Sequence, residues 1–103
     1  QKRELIYVHD FVNAATQLAD CARNEIVNIG SGIEYSIRWY AERISEIVGY
    51  DPSKIQYDTS RYVGVRSKQL STRKLKTLLP KFESTPIERA LEATVKSLKT
   101  KCR

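Results

Sequence analysis

Four cations stand where they could do specific chemistry: Arg3, Arg61, Arg66 and Lys68. A guanidinium offers a planar fork of N–H donors that matches a phosphate two bonds at a time, and an ammonium adds a movable point charge. Arg3 leads into a β-rich run, and the other three flank Gly64 in a polar loop. Cations offered from a strand edge and a nearby loop suit a diphosphate. On composition alone, solvated surface charge explains such a set more often. The order of the surrounding segments is what makes it specific.

Other motifs fall away on their own chemistry. Gly30-Ser31-Gly32 follows an apolar run and precedes a helix, as a phosphate cradle would. A dinucleotide fingerprint needs a third glycine three residues further on, where Tyr35 stands here, so the expectation is a tight structural turn with no cofactor bound. Tyr50 and Lys54 have the spacing of a Tyr-x-x-x-Lys acid–base pair. Gly49 precedes them and Pro52 lies between, so Asp51 is expected to cap a short turn with Pro52 at its first position. His9, the single histidine, has no nucleophile beside it and reads as structural. Cys21 and Cys102 form no metal-ligand spacing, so no metal site is expected and a reduced, cytoplasmic setting fits.

The elements that must position these residues follow from periodicity. Glu4-Leu5-Ile6-Tyr7-Val8 reads as a strand buried on both faces, with Asp10 as N-cap of a helix whose stripe is Phe11, Ala14, Ala15, Leu18 and Ala22. Glu25 to Ile29 reads as a second strand. Ser36 is expected to cap a helix carrying Ile37, Tyr40, Ala41, Ile44, Ile47 and Val48, with Gly49 as its left-handed end. Ile55-Gln56-Tyr57 reads as a short third strand, and Ser71 as the start of a helix through Leu75, Leu78 and Leu79 that Pro80 stops. Thr85-Pro86-Ile87-Glu88 has the form of a capping box opening a last helix. The expected class is α/β: a small mixed domain of about four helices and two to three short strands.

Taken in order, these segments resemble the extended short-chain dehydrogenase/reductase family. Arg3-Glu4-Leu5-Ile6-Tyr7-Val8-His9-Asp10-Phe11 is similar to that family's Arg-Asp/Glu-Phe-Ile/Leu-His/Tyr-Val-x-Asp segment. Asn28 to Gly32 matches its Asn-Val/Ile-Gly-Ser/Thr-Gly turn, and Ser36, Ile37, Ala41, Glu42 and Gly49 match the helix that follows. Asp58-Thr59-Ser60-Arg61-Tyr62-Val63-Gly64 stands for its Asp-x-Ser-Lys/Arg-Pro-x-Gly loop, most like that of GDP-fucose synthase relatives. Tyr62 replaces the usual Pro, and Ser71 stands where Asp is usual.

The resemblance implies the C-terminal, substrate-binding part of a nucleotide-sugar epimerase, dehydratase or reductase, with positions 1–103 as a single domain. Arg3 would meet the diphosphate or nucleoside of an NDP-sugar, Arg61 and Lys68 would reach it from the loop, and Arg66 has no firm counterpart. NAD or NADP and the catalytic residues would belong to an N-terminal Rossmann domain, leaving this portion without cofactor or activity by itself. The absence of any Met agrees with a piece cut from a longer chain.

Composition bounds the rest. At 103 residues the chain is one domain at most, and 41% hydrophobic with 29% charged residues is a globular balance. No apolar run approaches the roughly 18 residues that span a bilayer, so no membrane partner is expected. The net charge of +6 and six tyrosines raise a rival, a small basic nucleic-acid-binding or interaction domain, but no aromatic RNA-binding motif is visible. Strands at Leu5–Val8 and Val27–Ile29 would expose edges and apolar surface if left without neighbours. Self-association, as a homo-oligomer, is expected from them.

Overall fold

The computed structural model describes residues 1–60 and 64–101. Its elements run β1 (Lys2–Glu4), α1 (Val8–Cys21), β2 (Glu34–Ser36), α2 (Ile37–Val48), a 3-10 turn (Pro52–Lys54), α3 (Arg73–Leu78) and α4 (Ile87–Lys101). The class is the expected mixed one, with four helices and a two-stranded sheet among the described residues.

The strands differ from the sequence-based expectation, for a common reason. β1 and β2 pair antiparallel, with Lys2 opposite Ser36, Arg3 opposite Tyr35 and Glu4 opposite Glu34. Only those β1 residues have a ladder partner. Leu5, Ile6 and Tyr7, despite their β-type side chains, continue without one, and the helix begins at Val8. Glu25 to Ile29 joins no sheet, though Val27 and Ile29 pack against the core, and Ile55 to Tyr57 forms no strand. Branched side chains favour extended backbone, but a strand also needs a neighbour for its N–H and C=O groups.

Helix boundaries follow the capping chemistry more closely. The Ser36 Oγ accepts the Trp39 N–H at 3.0 Å, and Gly49 ends α2 at φ 81°, in the left-handed region that favours glycine. Replacing Ser36 with alanine is expected to lower unfolding free energy by about 1 kcal/mol. Urea titration checks this, and an unmoved midpoint would contradict it. Asp51 accepts from the Ser53 N–H at 2.9 Å and from its hydroxyl at 2.8 Å, which pulls its carboxyl below the usual range. The 3-10 turn thus starts as expected, and Tyr50 and Lys54 share no helix. α3 begins at Arg73, two positions after the expected Ser71, with Thr72 at its N-cap position.

Asp10 departs from its expected role. Tyr7 occupies the N-cap position of α1, and Asp10 sits in the first turn. Its carboxylate accepts the Thr85 N–H at 2.6 Å and the Thr85 hydroxyl at 2.8 Å. The backbone N–H that a capping box would have directed to Glu88 therefore goes to Asp10, which ties the start of α1 to the approach to α4.

The core is small and lies between α1 and α3. Ala14, Leu18, Leu75 and Leu79 are buried together, with Ala22, Val27, Ile29, Leu78 and Phe82 packed around them. α2 packs on α4, burying Tyr40, Ala90 and Leu91. The molecule is flat, 48 × 35 × 20 Å, with a radius of gyration of 16.2 Å. A compact chain of this length has about 13 Å. Val8, Phe11 and Val12 accordingly remain exposed along the outer side of α1.

Candidate functional site: a cationic cavity at the sheet edge

β1 holds Arg3 by pairing it with Tyr35, and the Tyr40 hydroxyl donates to the Arg3 carbonyl at 2.8 Å. Burial is the main cause that pushes the Tyr40 hydroxyl pKa up, with Tyr35 adding to it, so Tyr40 remains a neutral donor in this bond. Tyr35, Trp39 and Tyr40 form one aromatic cluster. The Tyr35 and Trp39 rings stack at 4.2 Å, and both meet Tyr40 edge-on. The backbone that carries Arg3 is therefore fixed from below by α2.

Residues 66–70 lie along the same strand. The Lys2 N–H donates to the Arg66 carbonyl at 2.6 Å, and the Leu70 N–H donates to Glu4 Oε1 at 3.4 Å. The Ser67 hydroxyl lies 2.7 Å from both Glu34 carboxylate oxygens, and the Gln69 side-chain amide donates to the Gly32 carbonyl. Ser67 and Gln69 are thus both anchored, and Lys68 is held between them.

The result is a cavity of about 250 Å³ lined by Arg3, Glu4, Lys68, Gln69 and Leu70. Two cations face it together with one carboxylate, and that carboxylate is engaged by the Leu70 N–H. Arg3 donates to the neighbouring Lys2 carbonyl at 2.6 Å through Nη1, leaving its other guanidinium donors for a ligand. Arg3 and Lys68 are therefore brought together on one cavity. Arg66 contributes its carbonyl to the anchoring, and its side chain does not line the cavity. Arg61 lies outside the described residues.

The glycine turn serves this site indirectly. A Cβ at Gly30 would overlap the Glu4 carboxylate and press on the Leu70 side chain, and Gly32 sits at φ 78°. Gly30 leaves room for the Glu4 side chain that anchors Leu70, and Gly32 makes the turn into β2. Both glycines are thus used by the protein's own packing. His9 is exposed and stacks on Tyr7 at 4.9 Å. Among the described residues no cluster could hold a metal ion, and no helix is long and apolar enough to cross a membrane.

The anchors Glu4, Glu34 and Ser67 were not singled out from the sequence. Glu34 and Ser67 are 33 positions apart, and no spacing rule links them. A second, more apolar cleft of about 380 Å³ lies between Leu5, Ile33, Tyr35, Trp39 and Ile87. Its walls carry no cation.

No family model matches the chain. Curated relatives do, over 77 residues that make up 74% of it. It is 36% identical to a putative GDP-L-fucose synthase 2 of Arabidopsis thaliana, over 23% of that protein. It is 38% identical to GDP-L-fucose synthase 1 of the same plant, over 24% of its length. A probable GDP-L-fucose synthase 1 of Oryza sativa subsp. japonica is 34% identical, over 23% of its length. The chain thus spans about a quarter of the length of the curated relatives it matches. Across most of its residues, this chain is similar to one stretch of the GDP-L-fucose synthases.

Proposed function

We propose that this chain is the C-terminal, substrate-binding part of an NAD(P)-dependent enzyme that modifies a nucleotide sugar, of the GDP-fucose synthase type. The observation that carries the reading is the convergence of Arg3 and Lys68 on one cavity from segments 65 positions apart. The similarity to GDP-L-fucose synthases supports it independently. Arg3 grips one phosphate of the diphosphate through its free guanidinium donors and Lys68 balances the second; the family resemblance adds Arg61 as a further contact. Arg66 is left out of the clamp, since only its carbonyl takes part.

Held in this way, the diphosphate positions the distant sugar. Binding energy from the non-reacting end of a substrate then contributes to the geometry of the reacting end. Hydride transfer belongs to NAD or NADP on a companion Rossmann domain, as the family resemblance implies. That companion covers the exposed Val8, Phe11 and Val12 face. The chain alone binds without turnover, and assembly into a homo-oligomer proceeds through the complete enzyme.

Calorimetric titration of GDP and UDP into the full-length protein tests this reading. Charge reversal at Arg3 or Arg61 is expected to weaken binding by at least about tenfold, or 1.4 kcal/mol. Unchanged affinity in both variants would remove the clamp.

A further inference from the structure

A third concave surface lies away from the Arg3 cavity, between the C-terminal halves of α2 and α4. It encloses about 360 Å³ between Ile47 and the α4 residues Glu92, Val95, Lys96, Lys99 and Thr100. Those α4 positions recur every three to four residues and share one helix face. Ile44 and Val48 lie on the same side of α2 as Ile47 and are 38% and 43% exposed. Ile47 and Val95 give the groove an apolar floor, Ile44 and Val48 extend the apolar surface along α2, and the described chain does not cover it.

Its rim is basic. Among the described residues, Lys96, Lys99 and Lys101 have no carboxylate partner within 4 Å, since the ion pairs are Arg43 with Glu46 and Lys74 with Glu25. Cations in the last turn of a helix favourably meet its negative end, which accounts for Lys99 and Lys101. It does not account for Lys96, a turn earlier, or for the open apolar floor. Glu92 stands at the other end of the groove, so the site has an acidic and a basic pole.

We infer that this groove docks an acidic amphipathic helix of a partner protein. The partner's apolar residues, at helical spacing, lie on Ile44, Ile47, Val48 and Val95. Its carboxylates pair with Lys96 and Lys99, and Glu92 excludes a carboxylate from the opposite end, which fixes the direction of the bound helix. A second copy of this chain fits less well, because each copy already carries a net charge of +6.

The test uses the full-length protein and a labelled synthetic helix of about 18 residues, five turns, with leucines on one face and glutamates flanking them. Fluorescence anisotropy is expected to show saturable binding. The double change Lys96→Glu with Lys99→Glu, or Ile47→Asp alone, should weaken it by about tenfold or more while GDP affinity and the circular dichroism spectrum stay unchanged. Lys96→Gln with Lys99→Gln, the gentler pair, should lie between. A control helix with lysines in place of the glutamates should not bind. Equal binding of both helices, or none by the acidic one, would overturn the proposal. So would sedimentation with phosphatidylcholine vesicles containing about a third phosphatidylserine that the lysine reversals abolish, since that assigns the groove to a membrane surface. A dimer that Ile47→Asp dissociates would overturn it in favour of a second copy.

Discussion

Replacing Leu75 with alanine is expected to lower the unfolding free energy by about 3–5 kcal/mol, the upper part of the range for a buried leucine. The side chain is 2% exposed and sits among Ala14, Leu18 and Leu79. Ala14, fully buried across from it, is too short to move into the space. Leu75 also carries most of the attachment of α3, a six-residue helix without a side-chain cap, too short to be stable alone. Small domains hold about 5–15 kcal/mol in total, so the variant should be largely unfolded in mild denaturant. Urea unfolding followed by circular dichroism checks this. A loss under about 1 kcal/mol would mean that the core is not where the structure puts it.

Asp10→Ala is the second large effect. It removes two charge-assisted hydrogen bonds and leaves the partly buried Thr85 N–H without its acceptor. A loss of about 2–4 kcal/mol is expected, from bonds to an ionised group plus the unmet donor. Thr85→Val removes only the hydroxyl bond and should cost about half as much or less. Because Asp10 opens α1 and Thr85 precedes α4, the pair closes the chain across 75 positions. Equal losses in the two variants, or none in Asp10→Ala, would contradict that role.

Both predictions concern contacts that were only half visible in the sequence. The periodicity placed Ala14, Leu18, Leu75 and Leu79 on inward faces, and all are buried, whereas Phe11, Ile37, Ile44 and Val48 of the same stripes are exposed. Ser36, Gly49, Asp51 and Pro52 act locally, through neighbours one turn away, and they behave as the sequence implied. Asp10 was read in the same local way, as a cap of its own helix. Its actual partner is distant, and an acidic residue near a helix start looks alike in either role. The strands failed for a related reason. Branched residues at Leu5 to Val8 and Glu25 to Ile29 show a preference for extended backbone, but pairing needs a partner, and among the described residues the one pairing is Lys2–Glu4 with Glu34–Ser36.

The site divides along the same line. Arg3 and Lys68 could be named from residue type and segment order. Their meeting depends on Glu34 and Ser67 and on Glu4 and Leu70, pairs too far apart in the chain for any spacing to show. The glycines of the Gly30–Gly32 turn gained their meaning in the same way. Gly30 is required by the Glu4 side chain beside it, which in turn holds the segment that carries Lys68.

The clamp on a nucleotide diphosphate is tested most directly by comparing GDP with guanosine on the full-length protein, with and without Arg3→Glu. If Arg3 grips the phosphates, the variant should lose at least about tenfold in GDP affinity and nothing measurable for guanosine. A loss of the same size for both ligands, or for neither, would show that Arg3 and the cavity it lines with Lys68 do not hold the diphosphate.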